Sequence, residues 1–570
     1  MKRPLRIAWF TLLLAALAPA AAWPAPPPEP PAAAAVRRRL DAGATSAGER
    51  LSGVARLKAF YAARADRPAW FLPAGLSPQA DDLVAALRLA GREGLQPADY
   101  HVGAIEREMR RLRATTSLAA APGSRAAPAP DDAADLDLLL TDAFFLYAAH
   151  LTSGRVRPES VEPEWNLPGR ERDLALLLAA ALRDGHVATT LADLAPGRAD
   201  YRALRDALAA QRAIAAAGGW PLVPWGPPLH PGDHGPRVAA LRRRLAATGE
   251  LSGAAAEADR FDAPLAAALR AFQARHGIEP DAVAGTRTLS ELNTTAGARA
   301  RQIEANLERL RWMPRELAPG RILVNVADYR LELTEPGKPP LAMRVIAGRQ
   351  ARRTPFFAGE ITSILFNPSW TVPERIAVED KLPEILDNRD FLKEQGFRVL
   401  APAGGGWREV DPDGVDWTRL SEKRFPYRLR QDPGPKNALG RIKFQVPNRH
   451  DIYLHDTPSR GLFARAERSF SSGCIRVEQP VELALRLLAA DATWTRKRIE
   501  ETIAAAATLS VRLPEPMPVY LLYWTAWVDA GGALQFREDV YGSDAALIEA
   551  LDRPLAPAPA AAGDAAAGGR

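Results

Sequence analysis

Cys474 is the only cysteine in a chain of 570 residues. No internal disulfide can staple one stretch of this chain to another, so each folded part must be held by its own apolar core. A chain this long exceeds what one core normally supports, and several domains are expected. Hydrophobic residues at 47% and charged residues at 25% are ordinary for globular protein. The net charge of +6 is a mild, dispersed excess. It leaves no footprint for nucleic acid.

The first residues read as an export signal spanning 1–22. Lys2, Arg3 and Arg6 form a basic start, Ile7 to Leu17 is an apolar run too short for a comfortable membrane span, and Ala20-Ala21-Ala22 offers a small-residue cleavage site. The alternative is an uncleaved anchor, the one case in which a membrane is a partner. No Cys follows the apolar run, which excludes lipoprotein processing. Outside the cytoplasm, a lone thiol is a liability unless it does chemistry, although a small buried apolar role is open to it.

Residues 23–35 are Pro/Ala-rich and read as a linker. Residues 36–225 read as helical: Leu83, Leu87 and Ala90 recur at helical spacing, and Leu136 to Leu151 is an apolar run carrying Asp137, Asp142 and His150, which marks a buried helix and not a membrane span. Ala114 to Ala134, rich in Ala, Pro and Ser, reads as a surface loop. Residues 229–293 form a smaller helical unit with faces at Val238, Leu241, Leu245 and at Leu265, Leu269, Phe272, and Thr286 is placed to cap a third helix. From 321 to 545 the pattern turns to strands: Ile322–Val326, Leu341–Ala347, Ile361–Phe366, Ile452–Leu454 and Val519–Val528. Within that region about 374–430 reads as a helix followed by a Gly/Pro-rich loop, a candidate lid. The tail 554–570 is Ala/Pro/Gly-rich and reads as disordered.

Chemistry gathers in Tyr453-Leu454-His455-Asp456 and Ser471-Ser472-Gly473-Cys474-Ile475-Arg476. A thiol becomes a useful nucleophile when a base or positive charge favours its thiolate. His455 ends a predicted strand and is the candidate base. Gly473 lets the backbone bend, and the amides of Ser472, Gly473 and Cys474 are candidates to hold an oxyanion. Asp456 is a poor orienter of the imidazole, because adjacent strand side chains face opposite ways. Arg476 either holds a substrate carboxylate or braces the loop, with bracing the plainer reading. Tyr453 either lines the cleft or is a half-buried strand tyrosine. His230 and His234 flank a turn with no Cys or third His to complete a zinc set, and no metal or cofactor is called.

Two resemblances follow from these residues. Gly232-Asp233, Val238-Ala-Ala-Leu241 and Ala271-Phe272-Gln273 with His276-Gly277 resemble the three-helix peptidoglycan-binding module, whose usual Asp-Gly-x-Val-Gly turn stands here as Asp281-Ala282-Val283-Ala284-Gly285. The His-on-strand and Ser-x-Gly-Cys-x-Arg pattern, with Arg353-Thr354-Pro355, Asn367-Pro368-Ser369-Trp370 and Asn437-Ala438-Leu439-Gly440, resembles the L,D-transpeptidase family. Ser472 stands where many members have His, a departure typical of a large-chain branch with a helical scaffold, a peptidoglycan-binding unit and a lid-bearing catalytic domain.

The resemblance implies a multidomain α+β fold with a mostly β catalytic domain. It implies a periplasmic, carbapenem-sensitive cysteine acyltransferase of cell-wall biosynthesis, linked to cell shape. Its partners are peptidoglycan stem peptides and glycan, and a backbone carbonyl often orients the histidine. Two alternatives are an L,D-carboxypeptidase using the same acyl-enzyme and a non-catalytic wall-binding scaffold.

Overall fold

A computed structural model of the chain describes residues 30–43, 45–72, 75–118, 128–253 and 257–555. The expected export signal, most of the expected linker and the tail beyond 555 lie outside the described residues. The last part of the expected linker is a helix instead: Pro31–Ala42 forms α1, with Ala33, Ala35, Val36 and Leu40 buried. Proline at the first helical position followed by alanines favours a helix start over an extended spacer.

The helical part continues through α2 (Val102–Leu118), α3 (Pro130–Ser153) and α4 (Ala199–Ala216). The surface-loop reading of Ala114 to Ala134 is too wide at both ends, since α2 and α3 enter it and residues 119–127 lie outside the described set. The acids of α3 are structural. Asp137 accepts from the amides of Ala69 (2.8 Å) and Trp70 (2.7 Å) and from Tyr61 Oη (2.6 Å). Asp142 accepts from the amides of Ser52 and Gly53, at 3.0 Å each.

The small helical unit is α5 (Pro236–Ala247), α6 (Ala263–Arg275) and α7 (Thr286–Asn293) around Val238, Leu241, Leu269 and Phe272. Thr286 does not cap α7; it is the first helical residue, after Gly285. Gln273, fully buried, ties down the following turn by donating to Asp281 Oδ1 (2.8 Å) and accepting from the Ala282 amide (3.0 Å). Ala282 sits there at φ +63°, a left-handed conformation that explains why the resembling modules carry glycine at this place.

The sequence reading passed over α8 (Ala296–Trp312), which lies between the helical parts and the strands. It buries Arg299, Glu304, Asn306, Glu308, Arg309 and Arg311. Each is partnered: Arg311 pairs with Glu308 and donates to the Glu93 carbonyl (2.7 Å), Arg309 pairs with Asp544, and Asn306 donates to Thr525 Oγ1 (2.8 Å). Val156 N donates to Glu308 Oε1 (2.7 Å), so α8 fastens the helical part to the strands.

The strands are β1 (Arg321–Asn325), β2 (Arg330–Glu335), β3 (Lys338–Gly348), β4 (Phe357–Phe366), β5 (Trp370–Thr371), β6 (Phe397–Ala403), β7 (Gly406–Val410), β8 (Arg428–Gln431), β9 (Ile442–Gln445), β10 (Leu454–His455), β11 (Ser469–Ser471), β12 (Ile475–Val477), β13 (Leu509–Leu522), β14 (Ala526–Val528) and β15 (Leu534–Phe536). A nine-stranded sheet runs β11-β3-β12-β10-β9-β4-β13-β1-β2. Because β2 also pairs with β3, all of these strands except β11 close into a barrel. Its interior is packed with Ile322, Val345, Ile364, Phe444, Leu454 and Ile475. Helices α9 (Pro480–Leu487) and α10 (Ser543–Asp552) cover it, and α10 runs past the expected boundary at 545.

The insertion about 374–430 is more ordered than a helix plus loop. A four-stranded sheet, β7-β6-β8-β5, frames it. Trp370, Ile385, Val399, Trp417 and Leu429 give it a core of its own. The chain is a multidomain α+β protein: helical scaffold, small helical unit and mostly β barrel.

Candidate active site

Three adjacent strands build the floor of the site. Lys443 on β9 pairs in register with His455 on β10, and His455 pairs with Arg476 on β12. Side chains alternate across a strand. Phe444, Leu454 and Ile475 therefore enter the barrel core, and Lys443, His455 and Arg476 line a cleft of about 1260 Å³ on the outside. Trp407, Phe425 and Tyr427 of the insertion form one wall, and Arg353 and Pro355 stand opposite.

Cys474 directly precedes β12 and lies half-buried in the same cleft. Its Sγ is 3.7 Å from the carbonyl oxygen of Asp451. The hydroxyl and backbone N–H of Tyr453 both reach the sulfur. Tyr453 therefore belongs to the site: its ring is 5.7 Å from the His455 ring, and the Lys443 ammonium lies 3.7 Å over its face.

His455 is 4% exposed. Its Nδ1 is 2.5 Å from the carbonyl oxygen of Asp456. A carbonyl only accepts, so the ring proton sits on Nδ1 and Nε2 keeps its lone pair. Asp456 thus orients the imidazole through its backbone, while its carboxylate accepts from the Arg441 amide (2.9 Å) and from Arg460 (2.8 Å). Burial pushes the His455 pKa down to about 3, helped by the Arg476 and Lys443 cations and opposed by the Asp456 carbonyl. Burial raises the Cys474 thiol, while Tyr453, Lys443 and Arg476 pull it back. The imidazole and the thiol are both uncharged at neutral pH on these shifts.

The nucleophile loop is held by groups the sequence reading did not assign. Gly473 has φ +122°, and a Cβ there would meet Ile452 Cδ1 at 3.2 Å, so glycine is required. Thr354 Oγ1 donates to the Gly473 carbonyl (2.7 Å) and accepts from Gly348 N (2.9 Å). Ser471 Oγ donates to the Cys474 carbonyl (2.6 Å) and accepts from Gly473 N (3.1 Å). The Gly473 amide is therefore engaged, and the three-amide oxyanion expectation narrows to Ser472 and Cys474. Arg352 donates to Ser472 Oγ (2.9 Å) and pairs with Asp380 (2.6 Å) and Glu379, which ties the loop to the insertion.

Arg476 does not brace this loop. Its Nε is buried without a partner, and burial lowers its pKa. His450 is not part of the catalytic pair; it and Arg449 contact Glu164 at 3.3 and 3.2 Å. Register could have pointed to Lys443, but the short β9 carried no strand signal strong enough to be read alone.

Comparison with known proteins agrees with this geometry. Residues 319–499 match the family described as "L,D-transpeptidase catalytic domain", residues 234–292 the "Putative peptidoglycan binding domain", and residues 55–208 the "Scaffold domain". A curated relative from Haemophilus influenzae, named "Putative L,D-transpeptidase", is 39% identical over 243 residues, covering 43% of this chain and 48% of the relative. The chain thus spans about half the length of that relative. A solved L,D-transpeptidase from Xylanimonas cellulosilytica aligns at 15% identity over 52% of this chain and 98% of its own, with a TM-score of 0.17. Among the described residues no helix is long and apolar enough to cross a membrane.

Proposed function

From a chain that carries an L,D-transpeptidase catalytic domain, a peptidoglycan-binding domain and a scaffold domain, we propose a periplasmic L,D-transpeptidase that forms 3→3 cross-links through a Cys474 thioester. The domains imply an acyltransferase-type enzyme in the cell envelope with peptidoglycan as partner. The observation that carries the finer reading is the contact of His455 Nδ1 with the Asp456 carbonyl, in a cleft that Cys474 also lines, which leaves Nε2 without the ring proton.

In this reading the donor is a tetrapeptide stem. Nε2 of His455 takes the thiol proton as sulfur attacks the carbonyl of the third residue. The amides of Ser472 and Cys474 hold the oxyanion, and collapse expels D-alanine, whose nitrogen takes the proton from His455. A second stem's side-chain amine then attacks the thioester, loses its proton to His455 and frees the thiol. The cationic neighbours act on both partners: they stabilise negative charge on sulfur, and by disfavouring imidazolium they press His455 to pass its proton on to the leaving nitrogen.

The test is mass analysis of products from purified monomeric tetrapeptide stems. Cross-linked dimers that vanish with Cys474→Ala are expected. Trimmed tripeptides alone mean hydrolysis of the same acyl-enzyme, and unchanged stems mean a wall-binding protein without this activity.

A further inference from the structure

The row across the floor of the cleft is cation, imidazole, cation. Lys443, His455 and Arg476 stand at one register on three neighbouring strands. Strands lie about 4.8 Å apart, so the two cations flank the imidazole across roughly 10 Å. Among the described residues neither cation has a hydrogen bond or ion pair within the protein: the Lys443 ammonium rests on the Tyr453 ring, and Arg476 Nε is buried without a partner. The carboxylates lining the same cleft do not neutralise them. Glu164 is engaged by Arg449 and His450, Asp380 by Arg349 and Arg352, Asp451 acts on Lys443 only through space, and Glu374 makes no ion pair with either cation.

Lys443 and Arg476 are half-buried, and Arg476 Nε is enclosed without a partner; enclosed polar groups are normally satisfied, so such a pair of cations asks for an anion. The geometry points to Lys443 and Arg476 as a cradle for the free carboxylate of the leaving D-alanine, so that the site selects a donor ending in an acid. This rests on the acyl-transfer reading above. The leaving nitrogen must approach Nε2 of His455, because it is the atom that takes the proton. The carboxylate is attached to the same α-carbon as that nitrogen, so it lands beside the imidazole, where the cations stand. A stem that continues past this residue, or whose terminus is amidated, brings no charge to the cradle and covers both half-buried cations without pairing them.

The experiment is a cycle over enzyme and substrate. Wild type, Lys443→Met, Lys443→Arg and Arg476→Met are each given a synthetic tetrapeptide stem with a free terminal carboxylate and the same peptide as its carboxamide. kcat/KM for release of alanine or alaninamide is measured. A charge-assisted hydrogen bond lost at a buried site corresponds to about tenfold to a hundredfold. Wild type should prefer the acid by at least about tenfold. Lys443→Met and Arg476→Met should slow the acid by a similar factor while slowing the carboxamide much less, so the preference shrinks. Lys443→Arg should restore most of it.

If both substrates slow in parallel in the variants, the cations serve only the histidine or the fold, and the cradle is overturned. A wild type that does not distinguish acid from carboxamide overturns it as well. A wild type that releases alanine from neither substrate overturns the acyl-transfer reading, and the cradle falls with it.

Discussion

Helix α8 and the cleft floor both bury charge, and they treat it in opposite ways. Along α8, Arg299 pairs with Glu291, Arg309 with Asp544, Arg311 with Glu308, and Glu304 with Arg212. On the cleft floor, Lys443 and Arg476 face a neutral His455 and a protonated thiol with no counter-ion bonded to them. A buried pair is costly to break and makes a rigid joint. An unpaired cation adds no ion pair to the fold, and in the cradle proposed above it is kept for the anion it meets. Pairing therefore separates the side chains that hold this protein together from those that act.

The contrast is tested hardest at the thiol. Wild type should form a one-to-one carbapenem adduct, read by intact-protein mass spectrometry, and Cys474→Ala should abolish both that adduct and product formation with the melting temperature essentially unchanged. His455→Ala should slow acylation by about a hundredfold or more. An adduct persisting without Cys474, the chain's only thiol, would remove the site from the cleft.

Arg311→Met attacks the paired side. It leaves Glu308 buried without its cation, which costs roughly 3–5 kcal/mol. A fall of that size in denaturant-derived stability is expected, with acylation per folded molecule unchanged. A change below about 1 kcal/mol would place the joint elsewhere.

The pH profile probes the unpaired side. His455 is neutral above about pH 3 in the folded chain, so carbapenem acylation should not rise through the ordinary histidine range near 6.5. Removing a neighbouring cation with Arg476→Met favours imidazolium, so the acid limb should move upward toward neutrality. An unchanged limb would mean that burial alone sets the shift. The smallest effect is on stability: Arg476→Met should alter it by less than about 1 kcal/mol or raise it, because no partner is stranded. A loss approaching that of Arg311→Met would erase the distinction.

The sequence carried the chemistry better than the joints. His455 and Cys474 stood out because a strand end and a Gly-containing turn leave local signatures. The partners around them did not. Thr354 and Lys443 reach the site through long-range pairing, and β9 shows only a short alternation. Helix α8 was missed for a different reason: arginines and glutamates on every side resemble a solvated surface, yet the helix is enclosed and its charges are consumed by pairing. The insertion was under-read because turn-rich stretches such as Ala403 to Gly406 join strands of a small sheet there. Domain limits taken from composition stay expectations, and α1 and α10 both cross them.

The parallel pairing of β10 with β12 has a consequence for how the motif travels between proteins. Parallel neighbours cannot be joined by a tight turn; the chain must leave the sheet and return from the same end. The return here occupies 456–474 and carries β11 on its way. The interval between base and nucleophile therefore has a topological floor but hardly a ceiling, since doubling a loop's length adds only about 0.6 kcal/mol of closure entropy. Natural inserts, or a reporter grafted into the exposed residues 458–461, should lengthen the path without moving either atom, whereas deletions that approach the floor must unpair the strands.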